Sequence, residues 1–228
     1  MMYYSLSSVR TSREPLNAQC CSQLARRSGG EGLSSDSITH MFKLVALGDG
    51  AVGKTSCIKR YTEGSFSERY MMTIGTTFAL KTVKVDVPGH GTVNCRIVLW
   101  DLAGQPTYNE LRRRYMAGAS MAIIVYDVTR PQTFLDIGEW FTKFITVCPN
   151  AVVAVVANKI DRPDRLVPPE AGKMIEKWLD VMHFETSAKT GENIDEMFTE
   201  LVKRAILKQE ELSTRPGVAK ASGPAKLI

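Results

Sequence analysis

The sequence predicts an α/β protein built on a mostly parallel, six-stranded sheet with one antiparallel hairpin, flanked by helices. Three observations lead there. Two apolar runs, Met121 to Tyr126 and Ala151 to Ala157, have the length and unbroken hydrophobicity of strands buried on both faces, as in parallel sheets covered by helices. Each is far too short to cross a bilayer. Such runs alternate along the chain with segments whose apolar residues recur at helical spacing, the order that builds a parallel sheet through crossover helices. Finally, Pro88-Gly89-His90-Gly91 separates two strand-like stretches, and a turn of that composition makes the pair a hairpin.

The first strand is Phe42-Lys43-Leu44-Val45-Ala46-Leu47, which leads through a glycine-rich loop into a helix ending near Tyr61. The hairpin strands run from about Phe78 to Val87 and from Thr92 to Trp100; in the second, Val93, Cys95, Ile97 and Leu99 alternate onto one face. Met121 to Asp127 is the next strand. A helix follows from Pro131, a residue suited to the first helical turn, with Phe134, Ile137, Phe141 and Phe144 at helical spacing. Ala151 to Ala157 is a strand, Pro169 to Leu179 a helix and His183 to Thr186 a short last strand. The final helix starts near Glu192 and buries Ile194, Met197, Phe198, Leu201, Val202 and Ile206.

A length of 228 residues suits one domain with tails, and 44% hydrophobic against 23% charged residues gives it a sizeable core. We place the domain at residues 41–208, with 1–40 as a disordered N-terminal extension and 209–228 as a flexible tail. The extension is rich in Ser, Arg and Gln and shows no sustained apolar period. A transit peptide is the sharper alternative, since Arg10, Arg13, Arg26 and Arg27 outnumber Glu14, Glu31 and Asp36, but its amphipathic pattern is weak. Met41 offers an internal start. Palmitoylation of Cys20-Cys21 would lack a neighbouring membrane helix. The net charge of +5 comes without a dense basic stripe, so no nucleic-acid partner is expected. Five cysteines, Cys20, Cys21, Cys57, Cys95 and Cys148, lack metal-ligand spacing and read as reduced thiols of a cytoplasmic protein.

Gly48-Asp49-Gly50-Ala51-Val52-Gly53-Lys54-Thr55 is a complete G-x-x-x-x-G-K-[ST] phosphate loop between a strand and a helix. Backbone N–H groups and the helix N-terminus attract phosphate, Lys54 reaches the terminal phosphates and the Thr55 hydroxyl ligates Mg²⁺. Asp49 to Thr55, with Ser56 behind them, form the candidate cradle. Three further motifs stand at carboxyl ends of strands, where ligands bind in such sheets. In Trp100-Asp101-Leu102-Ala103-Gly104-Gln105, Asp101 can hold a Mg²⁺-bound water, Gly104 can offer an N–H to a γ-phosphate and Gln105 can orient the attacking water. In Asn158-Lys159-Ile160-Asp161, the Asp161 carboxylate can accept guanine N1–H and N2–H, Asn158 can support the base edge and the Lys159 stem can cover its face. Adenine would leave that carboxylate unpaired. In Thr186-Ser187-Ala188-Lys189, the Ala188 N–H can bind guanine O6 while Ser187 braces the loop.

These motifs, in this order over roughly residues 42 to 208, resemble those of the Ras-like small GTPases, which share the phosphate-loop NTPase fold. Ile74-Gly75-Thr76-Thr77-Phe78 and Arg114-Tyr115-Met116-Ala117-Gly118-Ala119 resemble signatures of the Rab branch. The resemblance implies that Phe66 stacks on the guanine edge, that Tyr70 closes over the phosphates and that Thr73 binds Mg²⁺ and γ-phosphate in the triphosphate state. It also implies an effector surface of Ile74, Phe78, Trp100 and Tyr115, against which core packing is an equal alternative for the three aromatic residues. The implied activity is slow hydrolysis of GTP to GDP and phosphate, with Gln105 and Lys54 as catalytic residues and Mg²⁺ as cofactor. A monomeric switch with an exchange factor, an activating protein and effectors in vesicular traffic is the function implied. A Ran-like transport switch, a cytoskeletal or ciliary regulator and a low-turnover GTP-bound scaffold are alternatives; a phosphate-loop kinase would need a lid insertion that the sequence does not show.

Two departures from the family pattern stand out. The chain's last cysteine is Cys148 and the sequence given closes Ala225-Lys226-Leu227-Ile228, so the expectation for this sequence is no direct lipid anchor and recruitment to membranes or cytoskeleton through partners. The residue after Gln105 is Pro106, where family members usually carry glutamate. Proline biases Gln105 away from helical angles and removes an N–H. Single-turnover hydrolysis and factor-stimulated GDP release should therefore differ between the native chain and Pro106→Glu; identical values in both assays would dismiss a role for the proline.

Overall fold

Alternation of side chains decides how the sheet is covered. In the first long strand Leu44 and Ala46 face one layer while Val45 and Leu47 face the other, and all four are buried. A strand with apolar residues at both parities can satisfy its two faces only between two layers of helices. The computed structural model describes residues 4–5, 38–67, 73, 75–102 and 109–214. Along these the strands are β1 (Tyr4–Ser5), β2 (His40–Leu47), β3 (Thr76–Val87), β4 (Gly91–Leu102), β5 (Met121–Asp127), β6 (Val152–Asn158) and β7 (Met182–Thr186). The helices are α1 (Lys54–Glu63), α2 (Asn109–Met116), α3 (Pro131–Leu135), α4 (Ile137–Val147), α5 (Pro169–Leu179) and α6 (Ile194–Thr214).

The sheet order is β1-β3-β4-β2-β5-β6-β7. β2 runs parallel to β4 and β5, and β5, β6 and β7 continue the parallel set. β3 and β4 form the expected antiparallel hairpin, in register from Thr76↔Leu102 to Val87↔Gly91. One core layer packs α1 and α6 on the sheet through Ile58, Tyr61, Phe198 and Leu201; the other packs α4 and α5 through Trp140, Phe144 and Ile175. The carboxyl ends of the parallel strands consequently open on one edge, where the loops of the site begin. No helix of the described residues is long and apolar enough to cross a membrane.

Four boundaries depart from expectation. Tyr4–Ser5 pair with Thr77 and Phe78 as a two-residue strand at the edge of the expected six-stranded sheet, within the stretch expected to be disordered. His40, at the end of that stretch, opens β2 in register with Cys95. The helix beginning at Pro131 breaks at Asp136 into α3 and α4. At the far end, α6 continues to Thr214 rather than stopping at 208. The polar stretch after Gln209 stays helical with Ser213 and Thr214 hydroxyls donated to the Glu210 carbonyl, and the Glu210 carboxylate lies 3.0 Å from His90 of the hairpin turn.

Phe198 is fully buried and stacks on Tyr61 at 4.0 Å between ring centroids, pinning α6 against α1. Phe198→Ala should lower unfolding stability by about 3–5 kcal/mol, the usual cost of an aromatic-to-alanine cavity. Denaturant titration checks this; a loss below about 1 kcal/mol would mean that the helices do not depend on that contact.

Candidate functional site

The phosphate loop folds as it does because two of its glycines touch the sheet directly. Gly48 has φ +124°, and a Cβ there would stand 2.2 Å from the Val125 carbonyl oxygen; at Gly53, φ +104°, it would stand 2.1 Å from Asn158 Nδ2. No other residue type satisfies both the left-handed backbone and the close approach. Lys54 is buried at the start of α1, with Nζ donating to the carbonyls of Gly48 (2.8 Å) and Asp49 (2.6 Å). Its ammonium thus lies across the loop that the motif assigns to phosphates. Gly50 and Ala51 form the tip, Ala51 in the left-handed region at φ +63°, and Ser56 lies half-buried in the first turn of α1. Asp49, expected in the phosphate cradle, uses its side chain to accept Trp140 Nε1 at 2.8 Å. Burial pushes its carboxyl above the ordinary range, against the Trp140 bond.

The three residues expected to serve Mg²⁺ converge. Thr55 Oγ1 donates to Asp101 Oδ2 at 2.5 Å and lies 2.8 Å from Thr73 Oγ1, which is 3.5 Å from the same carboxylate oxygen. Asp101 is 2% exposed and its Oδ1 has no hydrogen-bond partner among the described residues. Burial raises its carboxyl despite the hydroxyl of Thr55 and the charge of Lys54. A buried, half-satisfied carboxylate beside two hydroxyls is a hard-oxygen set that fits Mg²⁺, which uses one or two carboxylates together with substrate phosphates. Cys57 lies beneath; burial pushes its thiol up to about 12, with the Asp101 charge adding to the shift, so it remains protonated.

The base-side loops are held by side chains that the sequence did not single out as well as by those it did. Sheet register sets Asp127, Asn158 and Thr186 side by side at the ends of β5, β6 and β7. Asn158 is buried, its Nδ2 donating to the Val52 carbonyl (2.8 Å) and its Oδ1 accepting the Ala188 N–H (3.1 Å). Asn158, expected at the base edge, thus also links the loops, and the Ala188 amide, expected at guanine O6, is bonded to it. Ser187 braces its loop as expected, accepting the Thr190 N–H, and it also donates to Asp161 Oδ1 at 2.6 Å. Asp161 itself is exposed. Lys159, at φ +71°, extends to Asp127 at 2.6 Å. Burial opposes the Asp127 charge, but Lys159 and the Thr129 N–H and hydroxyl outweigh it and hold the carboxyl below the ordinary range.

Arg60 of α1 completes this side. Its Nε donates to the Ala188 carbonyl at 2.9 Å, Nη2 donates to the Lys189 carbonyl, and the guanidinium lies 6.0 Å from the centre of the Phe66 ring. Phe66 is thereby brought to the same loop as Ala188 and Lys189. Arg60, Trp140, Asp127 and Arg130 were missed. Asp127 carried a usable signal, a polar residue ending an apolar strand like Asp101 and Asn158; Arg60 carried none.

Phe78 and Trp100 are 4% and 3% exposed, with ring centroids 5.7 Å apart, and Tyr115 lies 5.5 Å from Trp100. The core alternative therefore holds for Phe78 and Trp100, which present no open surface; Tyr115 remains half-buried. Tyr70, Ile74, Gly104, Gln105 and Pro106 lie outside the described residues. Removing the link between loops should be costly: Asn158→Ala leaves the Val52 carbonyl and Ala188 amide unpaired, about 1–3 kcal/mol each. Unfolding and fluorescent GDP release, measured together, should show lower stability and faster release; native values in both would contradict the bracing role.

The chain matches the model of the Ras family over residues 43–207. It is 37% identical to the putative Ras-related protein Rab-5B of Dictyostelium discoideum over 72% of this chain and 75% of that protein. It is 34% identical to Ras-related protein Rab-3C of Bos taurus, covering 92% and 91%. Identity to Ras-related protein SEC4 of Saccharomyces cerevisiae is 36%, covering 86% of each. With the phosphate loop, the oxygen set and the base loops assembled on one edge of the sheet, the chain belongs to the Ras family of GTP hydrolases, in its Rab-like branch.

Proposed function

We propose that this protein is a GTP/GDP-regulated switch with slow intrinsic hydrolysis, working in vesicular traffic in the cytoplasm and drawn to membranes by its partners. The observation that carries this reading is the Asp161 carboxylate, braced by Ser187 in a loop that Asn158 ties to the phosphate loop. Guanine offers that carboxylate two donors and adenine offers none in the same place, so discrimination comes from leaving a charge unpaired with the wrong base. The relatives named for Rab and SEC4 support the assignment to traffic.

On this reading the β- and γ-phosphates draw the Lys54 ammonium from the loop carbonyls it now bonds, and the loop amides and helix N-terminus take the remaining charge. Thr55, Thr73 and Asp101 would hold Mg²⁺, which supplies charge neutralisation at the phosphates. Gln105 orients a water for attack on the γ-phosphorus, giving GDP and phosphate. Thr73 and Gly104 then lose their phosphate contacts and the switch segments relax, which is how exchange factors, activating proteins and effectors read the state. Ile74 and the half-buried Tyr115 remain as proposed effector contacts.

Protein loaded with GTP should hydrolyse it in a single turnover on the order of 10⁻⁴ s⁻¹, and Gln105→Leu should slow it further without loss of binding. Tightly held GTP that is never converted to GDP would favour a static nucleotide-bound scaffold.

A further inference from the structure

The phosphate loop and the base loop are joined by a second route, entirely through charged side chains. Arg130, in the turn after β5, donates Nη2 to the Gly50 carbonyl at the tip of the phosphate loop (2.9 Å) and Nε to Asp127 Oδ2 (3.0 Å). The same Asp127 oxygen accepts Lys159 Nζ at 2.6 Å. Its other oxygen accepts the Thr129 N–H (2.9 Å) and hydroxyl (2.7 Å), so the carboxylate is satisfied from two sides while its side chain is 2% exposed. The turn itself is fixed by the Arg130 N–H donated to the Asp127 carbonyl and by Thr133, whose hydroxyl bonds the Arg130 carbonyl and receives the Asp127 N–H. Arg130 therefore has a rigid base and a planar fork whose donors are spaced to hold two acceptors at once, a geometry that lysine lacks.

The tip is the part of the loop that most needs a restraint. Gly50 has nothing within 4 Å of where a Cβ would lie, and the next residue, Ala51, is exposed with a left-handed backbone. Asn158 restrains the loop at Val52, two residues further on. Between the Lys54 bonds at Gly48 and Asp49 and the Asn158 bond at Val52, the Gly50 carbonyl is held by Arg130.

We propose that Arg130 is a positioning residue for the nucleotide: by clamping the Gly50 carbonyl to the Asp127–Lys159 pair it keeps the phosphate loop closed and sets the rate at which GDP leaves. The proposal rests on the guanine-nucleotide reading and goes beyond it. Opening the tip must break the Gly50 bond, a charge-assisted hydrogen bond, and the loss should be felt in the dissociation rate more than in base selectivity, because Asp161 and Ser187 are untouched.

The test is stopped-flow release of fluorescent GDP from the Mg²⁺-loaded full chain, native, Arg130→Ala and Arg130→Lys, with the GDP-over-ADP affinity ratio and the thermal midpoint measured on each. Arg130→Ala should release GDP roughly tenfold faster, the scale of one lost charge-assisted hydrogen bond. Arg130→Lys keeps the charge beside Asp127 but cannot fork to Gly50, so it should also release faster, with base selectivity and midpoint near native. A folded Lys variant that releases GDP at the native rate overturns the proposal, whether or not the Ala variant folds. So does a loss of base selectivity in step with release, since that marks general loosening. Failure of the native chain to retain GDP at all would instead bring down the guanine-nucleotide reading, and the role of Arg130 with it.

Discussion

One buried amide sets the geometry on which the rest depends. Asn158 can bond both the Val52 carbonyl and the Ala188 amide only because Gly53 has no Cβ, which would otherwise fall 2.1 Å from Asn158 Nδ2. The phosphate loop, the end of β6 and the loop after β7 are thus fixed relative to one another by hydrogen bonds in a region without access to water, where each bond left unmade is expensive. On the proposed reading a nucleotide must satisfy a phosphate cradle and a base pocket together, and the Asn158 bonds hold the loops of the two in a fixed relation.

Two buried carboxylates on the same sheet edge behave in opposite ways, and the contrast gives each its part. Asp101 is desolvated with hydroxyls for company and one oxygen unpartnered among the described residues, so its charge is disfavoured. Asp127 is equally hidden yet meets Lys159, Arg130 and Thr129, and its charge is favoured. The first keeps an oxygen for the Mg²⁺ role proposed for it; the second is paired with Lys159 and Arg130 and works as a fixed joint. The environment rather than the residue type assigns the roles.

Much of this was legible in the sequence because the relevant signals are local. The glycine spacing of the phosphate loop, the unbroken apolar β5 and β6 and the hairpin turn all follow from neighbours along the chain. What escaped depends on register across the sheet. Nothing near Arg60 indicates that it will grip the Ala188 and Lys189 carbonyls, and nothing near Trp140 indicates that its indole will meet Asp49. Phe78 and Trp100 were undecided for a related reason: their exposure is set by layers contributed from distant segments. The overlong α6 shows that a polar stretch can remain helical when its own hydroxyls and a hairpin histidine supply partners.

The central claim is that a pre-assembled pocket distinguishes purines through the Asp161 carboxylate, and titration calorimetry on the purified native chain addresses it most directly. With Mg²⁺ present, GDP should bind at least about 10³-fold more tightly than ADP, in the range reached by sites that must hydrogen-bond a particular group. Equal affinities for the two nucleotides would contradict the account.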